Sequence, residues 1–519
     1  MENQIGTTFM GLSAYFRLLR AGYVLAREGA LSITEGQGIK GPAARAIKLA
    51  RLIERRSVRK TGRVERLSKA LQKLGPTYVK LGQMLATRPD IVGAHVSTDL
   101  QGLQDQMPPF DQKLVPEILK RSLGNGADKL LDVSEPIAAA SIAQVHQAYI
   151  EGPTGRQKVA IKLLRPDIEE RFYKDLASMR AAAGLVERMV PKARRLRPLD
   201  VIKTLERSAF LEMDLRLEAA AISEMRENTE QDPGFEIPTV VWPQTAREVM
   251  TTSWMDGIPI RDHAKIDAAG LDRKKIAKDL LQSFLRHAIR DGFFHADMHP
   301  GNLFVAPDDG TVRAVDFGIM GRIGPEEQKF LAEILYGFIT RNYRRIAQLH
   351  FDIGYVPKTQ SVDDFAQALR AIGEPLVGRA ANEISMAKVL TQLMDVTELF
   401  DMETRTELVM LQKNMVLVEG VARSLDPELN MWTTAEPIVS EWVKRKVGPE
   451  GIIKDAIATG NEFLLAAKKL PDLLGRYERM LELSEKHRDQ TPFFMKRWFA
   501  ILSVTLMLLL GAAALNSLF

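Results

Sequence analysis

The stretch FHADMHPGNLF occupies Phe294–Phe304, and AVDFG follows it at Ala314–Gly318. Asp297 and Asn302 stand five residues apart in the first stretch, and Asp316 follows a short strand-like run in the second. A phosphoryl-transfer site of the kinase type uses an aspartate near the transferred phosphate, an asparagine for one Mg²⁺ and a second aspartate that binds metal. An isolated Asp-Phe-Gly is often only a turn after a strand. Together, the two stretches predict a site for ATP and Mg²⁺.

The composition is that of a globular protein of two or three domains, with 519 residues, 45% hydrophobic and 26% charged. The absence of cysteine excludes disulfides, thiolate catalysis and Cys-ligated zinc. Formal net charge is only +5, but Lys40–Lys69 carries eleven Lys or Arg against two Glu. Because no aromatic residues interleave with this charge, it favours a solvated face or an anionic membrane surface as partner. We expect no nucleic-acid partner.

The C-terminal stretch Trp498–Phe519 has 22 residues and no charge, which is enough to cross a hydrocarbon core of roughly 30 Å. Lys496 and Arg497 precede it directly, so the positive-inside rule predicts that the bulk of the protein lies in the cytoplasm. We expect a transmembrane helix over 498–518, with a buried C-terminal helix as the alternative. Its small residues near Gly511 could pack against a second copy in a homodimer.

Two strands joined by a turn are predicted at Ile137–Ile150 and Lys158–Leu164. Lys162 lies in the sequence VAIK, and such a strand lysine would hold the α- and β-phosphates of ATP. Where a kinase has a glycine-rich loop, this chain has an alanine-rich one. Alanine restricts the approach of the backbone to the phosphates, so the grip would rest on loop N–H groups and a serine hydroxyl. The loop residues are Ala138, Ala139, Ala140 and Ser141.

One long helix is predicted over Leu199–Met225. From this helix, Glu218 is the residue that we expect to pair with Lys162. Glu212 and Asp214 precede it as an E-x-D pair, which an ordinary kinase helix lacks. The alternative for such acidic residues is a solvated helix face.

The stretch Arg247–Gly257 has the pattern of a strand running into a turn, and it would link the two lobes beside the adenine. Ile276–Gly292 is predicted to be the helix before the catalytic loop. From Pro325 to about Lys486 the pattern is nearly all helical, and it contains no kinase activation segment ending in Ala-Pro-Glu. A protein substrate would dock on that segment. The residues expected beside the adenine are Thr251, Trp254 and Met255.

Taken together, these motifs resemble those of the UbiB family of atypical kinases, also called the ABC1/ADCK group. The family's KxGQ motif matches Lys80–Gln83, on a helix that Gly75-Pro76 is expected to begin. The alanine-rich loop, the strand lysine, the E-x-D pair, the HxDxHPGN loop and the DFG triplet follow in order. The similarity covers about Leu74 to Asp426.

The resemblance implies an α+β fold, a two-lobe protein-kinase-like fold with a helical N-terminal extension, a largely helical C-lobe and a C-terminal transmembrane helix. The extension would cover the place where a protein substrate binds, and Lys80 and Gln83 would have a regulatory role by facing Glu212 and Asp214. The implied domains are 1–107 for the extension, 108–256 for the N-lobe, 257–490 for the C-lobe and 498–518 for the membrane helix.

The family's properties further imply an ATPase, or atypical kinase, that uses ATP and Mg²⁺ and supports ubiquinone biosynthesis at the bacterial inner membrane. Asp297 would be catalytic, Asn302 and Asp316 would bind metal, and His295 and His299 would shape the loop. The implied partners are ubiquinone-pathway lipid intermediates and biosynthetic enzymes. Two alternatives stay open: a protein kinase that regulates a pathway enzyme, and a non-catalytic lipid chaperone with bound ATP.

Overall fold

The computed structural model describes residues 12–30, 51–55, 66–86 and most of 107–447. Two compact units are distinguished, Met1–Ser440 and Glu441–Phe519, and only residues 441–447 of the second are described. No helix within the described parts is long and apolar enough to span a membrane, and the helix predicted at 498–518 lies outside them. Also outside are 154, 190–193, 195–196, 377–391, 393–395, 398 and 403–405, whereas 92, 96, 99, 100 and 103 are described.

Helices make up most of the described chain, and they flank or follow the sheets. The α-helices are α1 Leu12–Arg27, α2 Arg66–Leu74, α3 Pro76–Ala86, α4 Val115–Leu123, α5 Ile168–Met189, α6 Pro198–Glu212, α7 Leu215–Thr229, α8 His263–Ala268, α9 Arg273–Leu285, α10 Pro325–Ile339, α11 Tyr343–Asp352, α12 Val362–Gly373, α13 Thr406–Leu425 and α14 Met431–Val447.

Within the described residues, the strands form three antiparallel or mixed sheets. A four-stranded sheet has the order β1-β2-β3-β5, a second has the order β4-β9-β8-β6, and β10 pairs with β7. This mixture of helices and sheets confirms the predicted α+β class. β4 lies in the range predicted for the N-lobe but pairs with β9, in the range predicted for the C-lobe. The strands are β1 Pro136–Ala139, β2 Ala143–Gly152, β3 Gly155–Leu164, β4 Phe235–Glu236, β5 Val249–Ser253, β6 Ile258–Pro259, β7 Phe293–His295, β8 Leu303–Val305, β9 Val312–Ala314 and β10 Met320–Arg322.

Helix α3, which carries the KxGQ motif, begins at a sharp bend after α2. Gly75 makes this bend with a φ of +112°, and a Cβ there would lie 2.1 Å from Nη2 of Arg171. Only glycine tolerates both conditions without strain. Pro76 then occupies the first turn of α3, where its missing N–H is not needed by the helix. The predicted helix start is confirmed.

The N-lobe core lies between α4 and one face of the first sheet. Side chains of β3 alternate between the two faces of the sheet, as the pleat requires, and those facing the core are aliphatic. Lys162 therefore points to the opposite face. The buried side chains of this core are Val115, Ile118, Leu119, Leu130, Ala148, Val159, Ile161, Leu163 and Val249.

The single helix predicted over Leu199–Met225 is wrong, because the chain breaks into α6 and α7 after Glu212. Asp214 has extended backbone angles, and its carboxylate accepts a hydrogen bond from the N–H of Arg216 as the N-cap of α7. An aspartate at this position satisfies an N–H group that the helix itself cannot use. Glu212 and Glu218 consequently lie on different helices.

Candidate active site

Lys162 contacts two acidic side chains at the cleft face of β3. Its Nζ lies 2.8 and 2.9 Å from the two carboxylate oxygens of Glu218, on α7, and 2.8 Å from Oδ1 of Asp316. The predicted pairing of Glu218 with Lys162 is confirmed. The three residues come from the N-lobe sheet, the N-lobe helix and the DFG segment, so one ammonium group joins three elements.

The two carboxylates that contact the ammonium group of Lys162 have their pKa values shifted in opposite directions. Burial would lower the pKa of Lys162, but Asp316 and Glu218 together raise it above its ordinary value. The charge of Lys162 lowers the pKa of Asp316 to about 2, while burial raises the pKa of Glu218 to about 7. Asp316 is thus the ionised, metal-competent carboxylate, and Glu218 is the group that titrates near neutral pH.

The E-x-D acids have different partners. Nζ of Lys80 lies 2.5 Å from Oε2 of Glu212, and both side chains are largely buried. Asp214 instead forms two hydrogen bonds to the guanidinium of Arg216, at 2.9 and 2.7 Å. Of the two acids that Lys80 was expected to face, Glu212 is the one that it contacts in the structure, whereas Asp214 contacts Arg216. Gln83 follows Lys80 by three residues, so it shares the same face of α3 and is half-buried.

The positive charge of Lys80 also acts on Asp316 of the DFG segment. Its charge is one of the factors that lower the pKa of Asp316, although Lys162 is the largest. Helix α3 is fixed in this position by Asp175 on α5, which accepts a hydrogen bond from Oγ1 of Thr77 at 2.9 Å. The same carboxylate pairs with Arg17 of α1 at 2.5 Å. Side-chain contacts of Asp175 therefore hold both α1 and α3 against α5.

The catalytic-loop residues are held by His295, which is fully buried. The N–H of Asp297 donates to Nδ1 of His295 at 3.0 Å, and Nε2 lies 3.2 Å from the carbonyl oxygen of Val315. These contacts assign the proton to Nε2, because Nδ1 must accept. Burial lowers the pKa of His295, so the ring is neutral. His299 also accepts a loop N–H, so both histidines shape the loop as predicted.

Asn302 and Asp316 lie on adjoining backbone segments. The N–H of Val315 donates to the carbonyl oxygen of Asn302 at 2.9 Å, and Nδ2 of Asn302 donates to the carbonyl oxygen of Asp297 at 3.1 Å. Asp316 has a φ of +63°, a left-handed conformation that is uncommon for a residue with a side chain. Such backbone strain is typical of functional positions, and here it accompanies the contact of Asp316 with Lys162.

The alanine-rich loop is shorter than predicted. Ala138 and Ala139 belong to β1, and only Ala140 to Ile142 form the turn into β2. The N–H of Ala140 donates to Ala143 rather than remaining free for phosphate, and the hydroxyl-bearing Ser141 is fully buried. In this structure the Ala140 N–H is therefore already bonded and the Ser141 side chain is buried, and the expected contact of this loop with phosphate stays a prediction.

Arg165 fixes this turn from the end of β3. Its Nε and Nη2 both donate to the carbonyl oxygen of Ala140, at 3.0 and 2.7 Å. The N–H of Met107 donates to the carbonyl oxygen of Ala139 at 3.1 Å. Sequence reasoning missed Arg165, because an arginine after a strand gives no local sign of a partner twenty-five residues earlier.

The register of β5 against β3 shows which face of the sheet each residue near the expected adenine site occupies. Met250 is paired with Lys162 in the β3–β5 ladder, and Ile161 with Thr251. Directly paired residues share a face, so Thr251 lies on the core face, where its hydroxyl donates to the carbonyl oxygen of Gln244 at 2.7 Å. The Thr251 side chain therefore faces the core and not the face of Lys162, and the expectation that Thr251 lies beside adenine stays a prediction.

The cleft face of β5 instead presents Met250 and Thr252, which the sequence analysis did not select. Trp254 and Met255 follow the strand and are partly exposed. The indole N–H of Trp254 donates to Asp256 at 2.7 Å, and the ammonium of Lys158 lies 4.4 Å from its ring centre. A period-2 count along β5, with its register against β3 known, would have shown which β5 side chains share the face of Lys162.

The protein oxygen atoms at this site fit a Mg²⁺ ion that is coordinated partly by the protein and partly by the phosphates of a nucleotide. Within the described residues, no three His, Asp or Glu side chains converge to hold an ion by themselves. Mg²⁺ is usually held in such sites by one or two carboxylates together with substrate phosphates. Asp316 and Asn302 supply oxygen ligands of that kind, and Lys162 supplies a positive charge for the phosphates. The arrangement can therefore support phosphoryl transfer.

Comparison with protein families gives two matches within the chain. A family described as the ABC1 atypical kinase-like domain matches residues 102–350, and one described as the UbiB helical domain matches residues 369–430. The first match contains the Lys162, Glu218 and Asp316 trio, together with the catalytic loop. Lys80 lies before it.

Curated relatives similar to this chain carry the name "Probable protein kinase UbiB". That of Marinobacter nauticus is 39% identical over 420 residues, which cover 80% of this chain and 76% of the relative. That of Vibrio atlanticus is 39% identical over 414 residues, covering 79% and 75%. That of Xanthomonas oryzae pv. oryzae is 36% identical over 475 residues, covering 89% and 85%.

Among solved structures, the chain is similar to the Rv3197–erythromycin complex from Mycobacterium tuberculosis. The identity is 24%, the TM-score is 0.49, and the similarity covers 68% of this chain and 90% of that chain.

Proposed function

The chain belongs to the UbiB family of atypical kinase-like proteins, and from this membership we propose that it binds ATP with Mg²⁺ and hydrolyses it in support of ubiquinone biosynthesis. The single observation that carries the proposal is the contact of Lys162 with both Glu218 and Asp316. In a kinase-type site, this lysine positions the nucleotide phosphates and the DFG aspartate holds the metal. A protein that only binds ATP would need this arrangement as well, but it would have no need of Asp297.

The proposed reaction transfers the γ-phosphoryl group to water. The bond from the γ-phosphorus to its bridging oxygen breaks, the water oxygen bonds to phosphorus, and ADP and inorganic phosphate result. Asp297 orients the attacking water and takes its proton, which then passes to solvent. Asn302 and Asp316 hold Mg²⁺, which neutralises phosphate charge when bound, and Lys162 orients the phosphates.

Water is favoured over a protein hydroxyl as acceptor because of the N-terminal extension. Lys80 of α3 bonds to Glu212 at 2.5 Å and contributes to the electrostatic environment of Asp316. A helix anchored so close to the DFG segment leaves little room for a docked polypeptide. Transfer to water requires only positioning and charge neutralisation, without a docked substrate chain.

We further propose that the protein acts at the inner membrane, with its kinase-like part in the cytoplasm, and that its partners are lipid intermediates and enzymes of the ubiquinone pathway. The uncharged stretch Trp498–Phe519 with Lys496 and Arg497 before it supports membrane anchoring. The basic stretch Lys40–Lys69 supports contact with anionic lipid.

The test is phosphate release from Mg-ATP by the purified full-length protein, with and without anionic liposomes that carry a ubiquinone-precursor-like phenol. We expect turnover that the liposomes and phenol stimulate, and that Asp316→Asn abolishes while the protein remains folded. Nucleotide binding without phosphate release under any condition would contradict the proposal and favour an ATP-bound lipid chaperone. Labelling of a pathway enzyme from γ-labelled ATP, at the expense of release, would favour a protein kinase.

A further inference from the structure

Asn414, on helix α13, bonds to the catalytic loop on both sides of Asp297. Its side-chain amide nitrogen donates to the carbonyl oxygen of His295, and its amide oxygen accepts the N–H of Met298 at 3.4 Å. Asn414 is 1% exposed. One buried amide thus joins the backbone just before and just after the residue proposed to orient the attacking water.

An asparagine suits this position because it supplies one donor and one acceptor from the same planar group. An aspartate of the same size would keep an acceptor for Met298 but would place an oxygen against the carbonyl oxygen of His295. An alanine would leave both backbone groups without this partner. Buried polar groups that lose their partners are costly, so the loop would shift to find other partners.

The neighbouring parts of the site have other supports. The carbonyl oxygen of Asn302 is bonded to the N–H of Val315, and Lys162 is held by Glu218 and Asp316. None of these contacts involves α13. A change at Asn414 should therefore act first on the Asp297 segment and leave Lys162, Glu218 and Asp316 in place, while Asn302 is affected only through the bond from its Nδ2 to the carbonyl oxygen of Asp297.

We propose that Asn414 is a positioning residue that fixes the backbone of Asp297 for phosphoryl transfer. The inference rests on the proposed function, since it assigns a role within that reaction. It also gives the helical domain a part in the site: Asn414 lies within 369–430, the match to the UbiB helical domain, whereas Asp297 lies in the kinase-like match, 102–350.

The test compares Asn414→Asp, which preserves side-chain volume, with Asn414→Ala in the full-length protein. We expect kcat for phosphate release to fall about 10- to 100-fold, as for a small misplacement of a reacting group. The dissociation constant for Mg-ATP should stay within about twofold, because the loss is confined to the transition state. If Asn414→Ala does not fold, Asn414→Asp carries the test.

Glu419→Gln is the matched control. Glu419 lies on the same helix and is 5% exposed, and its Oε1 lies 3.4 Å from Nη1 of Arg423, one helical turn away. We expect its kcat to equal that of the unmodified protein within about twofold. A fall as large as that of Asn414→Asp would show a general effect on α13 and would overturn the proposal.

Hydrogen exchange of loop peptides spanning 293–303 separates this inference from the proposed function. Faster exchange in Asn414→Ala than in Glu419→Gln is expected even if the protein releases no phosphate, in which case only the reaction assigned to the loop fails. Unchanged exchange would overturn the positioning role whatever the turnover. Faster exchange with an unchanged kcat would overturn it as well, since the loop would then move without consequence for the reaction.

Discussion

Arg290 binds Asp232 through both arms of its guanidinium group, with Nη1–Oδ1 and Nη2–Oδ2 distances of 2.6 and 3.0 Å. Nη2 also donates to the carbonyl oxygen of Asn228, in the last turn of α7, at 2.8 Å. Arg290 lies just before β7, which leads into the catalytic loop. The pair therefore ties the end of the helix that carries Glu218 to the C-lobe beside the reaction site.

Breaking this pair should loosen α7 from the C-lobe. For Asp232→Asn we expect a loss of about 2 kcal/mol in the free energy of unfolding, less than for a fully buried pair because Arg290 is 32% exposed. We also expect weaker Mg-ATP binding, because Glu218 would hold Lys162 less firmly. Denaturant unfolding and nucleotide titration measure the two effects.

The control for that change is Glu224→Gln. Glu224, also on α7, pairs with Arg322 at 2.7 Å, but both side chains are well exposed. An exposed pair contributes about 0–1 kcal/mol, so this variant should be nearly as stable as the unmodified protein. Equal effects of the two substitutions would contradict the role given to Arg290 and Asp232.

The pH dependence of nucleotide binding should reflect Glu218. Burial raises its pKa to about 7, so it is mostly neutral at pH 6 and mostly ionised at pH 8. The ion pair with Lys162 therefore strengthens as pH rises through this window, and Mg-ATP affinity should rise with it. Glu218→Gln should remove that part of the rise. Titration of the nucleotide itself is common to both proteins, so identical profiles would contradict the assignment.

The same shift has a defined sign for stability. The pKa of Glu218 in the folded protein lies above the ordinary value of 4.5, so the folded state binds more protons than the unfolded state between these values. Glu218 therefore contributes stability that is lost as pH rises from about 4.5 to about 7. Thermal melting across this range measures the effect. The melting temperature of the unmodified protein should fall relative to that of Glu218→Gln as pH rises, and the two should converge below pH 4.5, where Glu218 is protonated in both the folded and the unfolded state.

The face assignment of β5 can be tested with neighbouring threonines. Thr252→Leu adds bulk on the cleft face and should weaken Mg-ATP binding about tenfold, because the larger side chain would meet the nucleotide. Thr251→Val removes the bond to Gln244 on the core face and should cost about 1 kcal/mol of stability without changing nucleotide affinity. Nucleotide titration that shows the reverse order would place the adenine elsewhere.

Removing Lys80 should release the restraint that the extension places on kinase chemistry. Lys80→Ala removes the 2.5 Å contact between Lys80 and Glu212, and α3 should open enough for a hydroxyl group to reach the phosphates. We expect self-phosphorylation to appear, detected with γ-labelled ATP. Lys73→Ala is the control, because Lys73 pairs with Glu28 in the same extension at 2.8 Å. Equal labelling of the two variants would show that the restraint on self-phosphorylation does not depend on the KxGQ motif.

The sequence predicted several local features that the structure confirms. The predicted turn does join β2 and β3, with Gly152 paired to Gly155, Gly75-Pro76 does begin α3, and Glu218 does pair with Lys162. Each of these features depends on residues whose conformational preferences are strong by themselves, or on motifs whose order along the chain is distinctive. The kinase-like fold with mixed helices and sheets could be predicted for the same reason.

Other features depended on contacts between residues far apart in the chain. The break before α7 gave only a weak local signal, because a capping aspartate also occurs on solvated helix faces. The outward or inward direction of Thr251 follows from the register of β5 on β3, and a slip of one residue would reverse it.

The order of the motifs, the chemistry of the side chains and the start of α3 at Gly75-Pro76 could be predicted from the amino-acid sequence alone. The tertiary structure decided which side chains meet: Lys80 with Glu212, Arg165 with Ala140, and Asn414 with the loop around Asp297. Conformational preference is a local property and can be estimated from neighbouring residues. A hydrogen bond across more than a hundred residues, as from Asn414, exists only once packing has brought its two groups together.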